Sequence, residues 1–227
     1  MKRKTNVDNA EANVGEFISK TERFFEENQK VVYYVLLAVV LVVLVIIFGK
    51  NYYLNPKNVE ASEKLVWCEQ NLARDSFALA LNGDGINAGF AEIVDTYSIT
   101  KAKNEAAIGA AACCFHLGQY EQAIDYAGKV NKKSIVFTPV VEGLAGDCYV
   151  ELKDLQQAVV HFEKAASYDN EATAPIFLKK AADIYLYELK NPGKAVELYQ
   201  TIKDKYFASR EAMDIDKYID RANAEIK

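Results

Sequence analysis

Residues 139–170 read PVVEGLAGDCYVELKDLQQAVVHFEKAASYDN. This stretch predicts two short helices joined by a turn, with Gly146 on one face of the first helix and Phe162 on one face of the second. Two antiparallel helices approach closely only where Gly or Ala replaces a bulky side chain, which leaves room for an aromatic ring from the partner. One such hairpin cannot bury its own apolar face, so it needs further copies stacked on both sides.

Two further copies of this pattern flank the hairpin. Residues 104–130 precede it and residues 175–202 follow it, so that the three starts lie 35 and 36 residues apart. The spacing and the pattern of small residues resemble the tetratricopeptide repeat (TPR), a helix-turn-helix unit of about 34 residues. All three copies lack the Trp that the family commonly has near the start of the first helix. The resemblance implies an all-α fold, a TPR-like helix-turn-helix superhelical stack preceded by a single transmembrane helix.

The sequence on either side of these copies fits the two ends of such a stack. Residues 57–100 form a degenerate first unit, the regular repeats cover 104–130, 139–170 and 175–207, and an amphipathic stretch at 209–227 predicts a capping helix. Terminal units of a repeat array deviate from the pattern because one of their sides faces solvent. The sequence therefore predicts one TPR-like domain over residues 57–227.

An uncharged run precedes this domain. The 18 residues 31–48 contain no Asp, Glu, Lys or Arg, and as a helix they extend about 27 Å, close to the thickness of a bilayer's hydrocarbon core. A buried core helix would show a polar face, and a cleavable signal peptide would have a shorter leader and a small-residue cleavage site. The run therefore predicts an uncleaved transmembrane helix.

The orientation of this helix follows from the lysines and arginines around it. Six Lys/Arg lie in residues 1–30, against three in the 16 residues that follow Phe48. By the positive-inside rule, residues 1–30 form a cytoplasmic segment and the domain lies on the exported side of the inner (cytoplasmic) membrane, in the periplasm if the source is bacterial.

Few residues suggest chemistry, so we expect no enzyme, no cofactor, no metal and no small-molecule substrate. The turn at Asn82–Gly85 lacks the closing Glu of an EF-hand calcium loop, since Ile93 stands at its twelfth position. The four cysteines favour small core positions over redox or metal ligands. Residues 1–49 sum to zero charge, so the exported part carries the whole net charge of −5, which makes nucleic acid a poor partner.

The TPR resemblance also implies a binding surface. Proteins of this fold bind polypeptides on the concave side, which is lined by fixed positions of each first helix. On this chain those positions are Ile108, Phe115, His116, Val140, Asp147, Val150, Ile176, Asp183, Leu186 and Tyr187, with Lys179 as the cation among them. The lining is apolar and aromatic with scattered acids, which suits an extended or helical segment with exposed hydrophobic residues. The alternative is that a neighbouring repeat or a dimer partner covers these positions.

We therefore predict that Phe115→Asp with Leu186→Asp abolishes binding while the domain stays folded.

The architecture is similar to that of translocon-associated periplasmic TPR proteins, which implies a membrane-anchored, chaperone-associated scaffold for exported or envelope proteins. Its partners would be protein or peptide segments, with the membrane bound through residues 31–48. The alternative function is a regulatory or assembly subunit of a membrane enzyme complex.

Overall fold

The structure is a computed structural model that describes residues 28–131, 134 and 136–226. The described residues divide into two compact units between Pro56 and Lys57. The predicted cytoplasmic segment, residues 1–30, lies almost wholly outside the described residues.

The first unit contains helix α1, Gln29–Phe48, followed by a π-helical turn, Gly49–Leu54. None of the residues of α1 is buried within the protein. A helix that long and apolar could cross a membrane, as the uncharged run predicts.

The backbone stays helical through Asn55 and Pro56, where helix α2 (Asn55–Leu72) begins, although a proline normally disrupts a helix. The Asn55 N–H bonds to the Lys50 carbonyl, five residues back. In an α-helix the ring of Pro56 would clash with the carbonyl four residues back. The wider π-turn accommodates the ring there.

The second unit is an all-helical stack over the residues described. After α2 come two short helices, α3 (Phe77–Asn82) and α4 (Phe90–Thr96), which complete the degenerate first unit. Three hairpins follow: α5 (Ala102–His116) with α6 (Tyr120–Gly128), α7 (Phe137–Glu151) with α8 (Leu155–Ala166), and α9 (Ala174–Tyr187) with α10 (Pro192–Lys205). Helix α11, Ile215–Glu225, ends the stack; the turns at 209–214 separate it from α10, so the last helix is shorter than predicted.

Aromatic rings pack directly against helical glycines at three places. Phe162 lies against Gly146, where a Cβ would come within 2.6 Å of the ring, which agrees with the expectation that an aromatic side chain fills the space left by a small residue. Phe177 packs against Gly143 in the same way, and Phe90 against Gly109. The rings of Phe162 and Phe177 stack with centroids 6.2 Å apart. These contacts join α7, α8 and α9 into a continuous core.

The turn inside each hairpin uses the left-handed backbone conformation. Gly118, Lys153 and Lys190 occupy corresponding positions after α5, α7 and α9, with φ of 74°, 64° and 52°. This conformation ends a helix, and it suits Gly because a Cβ is strained there. The following helix then begins with a side-chain cap in two of the hairpins: Asp154 accepts a hydrogen bond from the Gln157 N–H and Asn191 from the Lys194 N–H, each at 3.1 Å.

The loop between α3 and α4 is held by Asp84. Its carboxylate accepts hydrogen bonds from the Ile86 and Asn87 backbone N–H groups and from the Asn87 side-chain amide. Both carboxylate oxygens therefore bond within the loop, as expected of a turn. The side chain of Ile86, at the tip, is 94% exposed.

Candidate functional site

The predicted groove positions lie on the first helices of the three hairpins, α5, α7 and α9. They divide into three groups according to their surroundings: side chains held inside the protein, side chains in ion pairs, and exposed apolar side chains.

Leu186 belongs to the first group and was wrongly predicted as a groove residue. Its side chain is 4% exposed and lies in the core cluster shared by α8, α9, α10 and α11. A buried leucine cannot contact a ligand, and an aspartate in its place would lose its hydration. The variant Leu186→Asp would therefore disrupt the fold instead of testing binding.

Three further predicted positions, on α5, have packing partners within the protein. Ile108 and Phe115 are partly buried against the core cluster formed by helices α2 to α7. The His116 side chain is exposed, and its ring stacks on the Phe77 ring of α3 with centroids 4.3 Å apart. Phe115 also makes an edge contact with Tyr120. In the α5 part of the predicted groove, Phe115 and His116 therefore already have aromatic partners, and Ile108 packs against the core.

The two acidic positions are paired with lysines. Asp147 of α7 accepts from Lys180 of α9 at 2.7 Å, which joins neighbouring repeats. Asp183 accepts from Lys179 at 2.8 Å and from the Tyr199 hydroxyl at 2.5 Å. Burial and the Asp183 carboxylate together raise the pKa of Tyr199. The sequence missed Lys180 because it lies outside the family's groove positions.

Exposed apolar side chains remain on α7 and α9. Val140 is 47% exposed and Ile176 39% exposed, at equivalent positions near the starts of the two helices. Near the ends of the same helices, Val150 and Tyr187 line a cavity of about 280 Å³. Its other lining residues are Lys153, Leu155, Asp183, Ile184 and Glu188. The hydroxyl of Tyr187 accepts a hydrogen bond from Arg221 of α11 at 3.1 Å, a contact the sequence did not predict.

We call the side chains of Val140, Val150, Ile176 and Tyr187 the apolar groove surface. The neighbouring Asp147 and Asp183 are paired with lysines, so this surface is apolar rather than acidic. The sequence predicted all four residues as groove-lining. What it could not predict was that Val140, Ile176 and Tyr187 are exposed while Val150 is partly buried, since this depends on packing between repeats.

A second polar cluster lies inside the α7–α8 hairpin. The carboxylate of Glu142 is fully buried, with one oxygen 2.8 Å from His161 Nδ1 and the other 2.9 Å from Lys164 Nζ. The His161 ring stacks on Tyr149. A buried carboxylate is tolerated only when it is bonded in this way, so the cluster is a structural element of the hairpin.

The four cysteines are free and buried. Burial raises the pKa of Cys113 and Cys148 to about 12, and that of Cys68 and Cys114 to about 11. Thiols with such pKa values are almost wholly protonated at neutral pH and are poor nucleophiles. Among the described residues, no group of three or more His, Cys, Asp or Glu side chains is placed to hold a metal ion.

This arrangement of helical hairpins defines a TPR-like repeat protein. The chain is similar in structure to a protein from Podosopora anserina described as a putative kinesin light chain with nearly identical TPR-like repeats. The TM-score is 0.55 and the sequence identity 12%, over 74% of this chain and 86% of that one. No protein-family model and no curated protein matches the sequence. At this identity the similarity shows the fold.

Proposed function

We propose that this protein is a membrane-anchored interaction scaffold that presents its TPR-like domain on the exported side of the inner membrane. Helix α1 would be the anchor, and the excess of Lys/Arg before it supports a cytoplasmic N-terminus. The domain would assist exported or envelope proteins at the translocon, as the resemblance in architecture suggests.

The observation that carries this proposal is the apolar groove surface. Val140 and Ile176 expose aliphatic side chains on neighbouring first helices, and Val150 and Tyr187 line a cavity further along the same helices. Polypeptide segments are recognised on such surfaces through side chains that enter apolar depressions. Since lysines already pair with Asp147 and Asp183, contact with apolar side chains should contribute more to affinity than charge.

The occupant we propose is an extended or helical segment of an unfolded or partly folded exported protein. Such segments expose apolar side chains before they fold, and the cavity is large enough for one of these side chains. The surface offers several weak contacts and no deep specific pocket, which suits many different sequences better than one ligand.

Site-specific photo-crosslinking in intact cells tests the proposal. A photo-crosslinking amino acid replaces Val140 or Ile176 on the groove surface, and Val160 of α8 in the control. Val160 is 55% exposed, so all three positions are accessible to solvent. We expect adducts with several exported or envelope proteins from Val140 and Ile176, and few or none from Val160.

Two outcomes would contradict the proposal. Equal adducts from all three positions would show that the groove surface has no special role. Adducts with the subunits of a single membrane enzyme would instead favour the alternative function, a regulatory or assembly subunit.

A second variant checks that the groove surface itself provides affinity. The pair Val140→Asp with Ile176→Asp should lower crosslinking from position 187 about tenfold, which corresponds to roughly 1.4 kcal/mol. Because both side chains are exposed, the melting temperature should stay close to that of the unmodified chain. Unchanged crosslinking would place the binding surface elsewhere.

The orientation of the anchor needs a separate test. A reporter enzyme that is active only after export should be active when fused at residue 227, and inactive when fused at residue 10. The reverse result would place the domain in the cytoplasm and exclude a role with exported proteins.

A further inference from the structure

One edge of the domain is formed by three chain segments that hydrogen bonds tie together. Asn58, at the beginning of the domain, accepts a bond from the Lys101 N–H at 2.9 Å, and Glu60 accepts from the Tyr97 hydroxyl at 2.5 Å. The connection after α6 joins the same edge, because Asn104 accepts from the Asn131 N–H at 2.9 Å. Residues 136–137 begin α7 at the end of the stack where α5 also begins, so we add them to these three segments. We call residues 57–60, 97–104, 129–131 and 136–137 the lysine edge.

The lysine edge differs in charge from the rest of the domain. Residues 57–227 contain 26 Asp/Glu and 20 Lys/Arg. The edge contains four lysines and one acid, Glu60, which bonds to Tyr97 and Lys64. Its lysines are Lys57, Lys101, Lys103 and Lys129. Lys129 pairs with Asp125 beside the edge, and the Lys103 ammonium group donates to the Lys129 carbonyl. The residues of the lysine edge therefore carry a net charge of +3, whereas residues 57–227 together carry −6.

The same edge exposes large apolar side chains. Val59, Ile99, Val136 and Phe137 are each more than half exposed. Lysines next to exposed aliphatic and aromatic side chains are typical of surfaces that lie at a lipid headgroup layer, because the apolar groups enter the interface while the ammonium groups meet the phosphates.

The position of the edge in the sequence indicates which lipid surface it can reach. The domain begins at Lys57, nine residues after the last residue of the uncharged run at Phe48. The backbone is helical over these nine residues, so they extend only about 14 Å. If α1 spans the bilayer as proposed above, Lys57 and the segments bonded to it are confined close to the headgroups on that side.

We propose that the lysine edge binds anionic phospholipid headgroups of the membrane in which the protein is anchored. This contact would restrain the rotation of the domain about its short connection. It would also leave the opposite ends of the hairpins, where the turns at Lys153 and Lys190 lie, directed away from the lipid. This inference rests on the proposed anchor, and the experiment below separates the failure of one from the failure of the other.

The test uses the full chain reconstituted into lipid nanodiscs, with tryptophan fluorescence quenched by a nitroxide on the lipid headgroup. Trp67, the one tryptophan of the chain, is replaced by Phe, and a new tryptophan is introduced by Phe137→Trp or Ile99→Trp on the edge. Ile86→Trp is the control. Ile86 is 94% exposed and lies in the loop before α4, at the opposite end of that helix from Tyr97.

In discs of phosphatidylcholine with about 30% phosphatidylglycerol, the nitroxide should reduce the emission of both edge variants about twofold and leave the Ile86→Trp emission nearly unchanged. Adding Lys101→Glu should weaken the quenching at Phe137→Trp. Lys190→Glu, which changes the net charge equally in an exposed turn away from the edge, should not. Circular dichroism confirms that each variant is folded.

Each outcome has one meaning. If the protein is in the discs but the edge variants are quenched no more than Ile86→Trp, the lipid contact is refuted and the anchor stands. If the protein does not enter the discs, the anchor and the lipid contact are both wrong. If quenching is equal in discs with and without phosphatidylglycerol and insensitive to Lys101→Glu, the proposed recognition of anionic headgroups is refuted.

Discussion

Gly143 is the position at which the packing of neighbouring repeats can be tested most sharply. A Cβ there would lie 2.0 Å from Cε1 and 2.2 Å from Cζ of Phe177. The Phe177 ring has little freedom to move, because it is buried and stacks on Phe162. Phe162 is in turn held against Gly146. Even the smallest side chain at 143 therefore requires both rings and their helices to shift.

The expected size of the effect follows from two opposing contributions. Overpacking a core by one group costs roughly 1–3 kcal/mol. Gly→Ala in a helix interior gains about 1 kcal/mol from helix propensity. Because the Cβ of an alanine would lie so close to the Phe177 ring, we expect Gly143→Ala to cost near the upper end of the overpacking range. After the gain in helix propensity, the free energy of unfolding should fall by about 1–2 kcal/mol. For a domain of this size that lowers the melting temperature by about 3–6 °C.

The assay is thermal and urea unfolding of the full chain in detergent, followed by circular dichroism. Gly128→Ala is the matched control, since Gly128 is also helical but has no atom within 4 Å of its would-be Cβ. This variant should be as stable as the unmodified chain or slightly more stable. Phe177→Leu should partly rescue Gly143→Ala, with a coupling energy of about 1 kcal/mol in the double-mutant cycle.

A melting temperature of Gly143→Ala at or above that of the unmodified chain would refute the close contact between α7 and α9. Equal losses in Gly143→Ala and Gly128→Ala would show that the effect belongs to the helices themselves and not to their packing. Gly146→Leu should cost roughly 1–3 kcal/mol for the same reason, because its side chain would enter the Phe162 ring.

Three further changes in stability follow from the structure. Lys153→Gly should raise the free energy of unfolding by about 1 kcal/mol, because φ is positive there; a decrease would show that the side chain matters more than the backbone strain. Glu142→Gln should lower it by about 2 kcal/mol, since it removes the charge that His161 and Lys164 bond, and no change in the urea midpoint would contradict this. Raising the pH from 8 to 10.5 should destabilise the fold. Burial raises the pKa of Tyr199 and of the cysteines above the values that these groups have in the unfolded chain. Their contribution to the free energy of unfolding is therefore complete below about pH 8.5. It is lost at higher pH, where these groups ionise when the chain unfolds. A urea midpoint that rises over this range would reverse the sign of that argument.

The sequence by itself determined the helical hairpins and their order. Small residues recurring at a fixed spacing identified the repeat, and the uncharged run identified a helix long enough to span a membrane. Gly146 and Phe162 were each placed on one face of their own helix, because helix geometry relates residues on one face regardless of what surrounds them. Such information is local, or is repeated at regular intervals, and a single chain displays it directly.

The composition of the candidate groove was decided only by the tertiary structure. Leu186 and Tyr187 are adjacent in sequence and both were predicted as groove residues, yet Leu186 is buried and Tyr187 is exposed. The pairing of Asp147 with Lys180 joins residues 33 positions apart on different helices. Periodicity gives the faces of one helix, but the exposure of a side chain depends on how the next repeat rotates against it. That rotation is set by the shapes of rings such as Phe177 in contact with glycine, which no single-helix pattern contains.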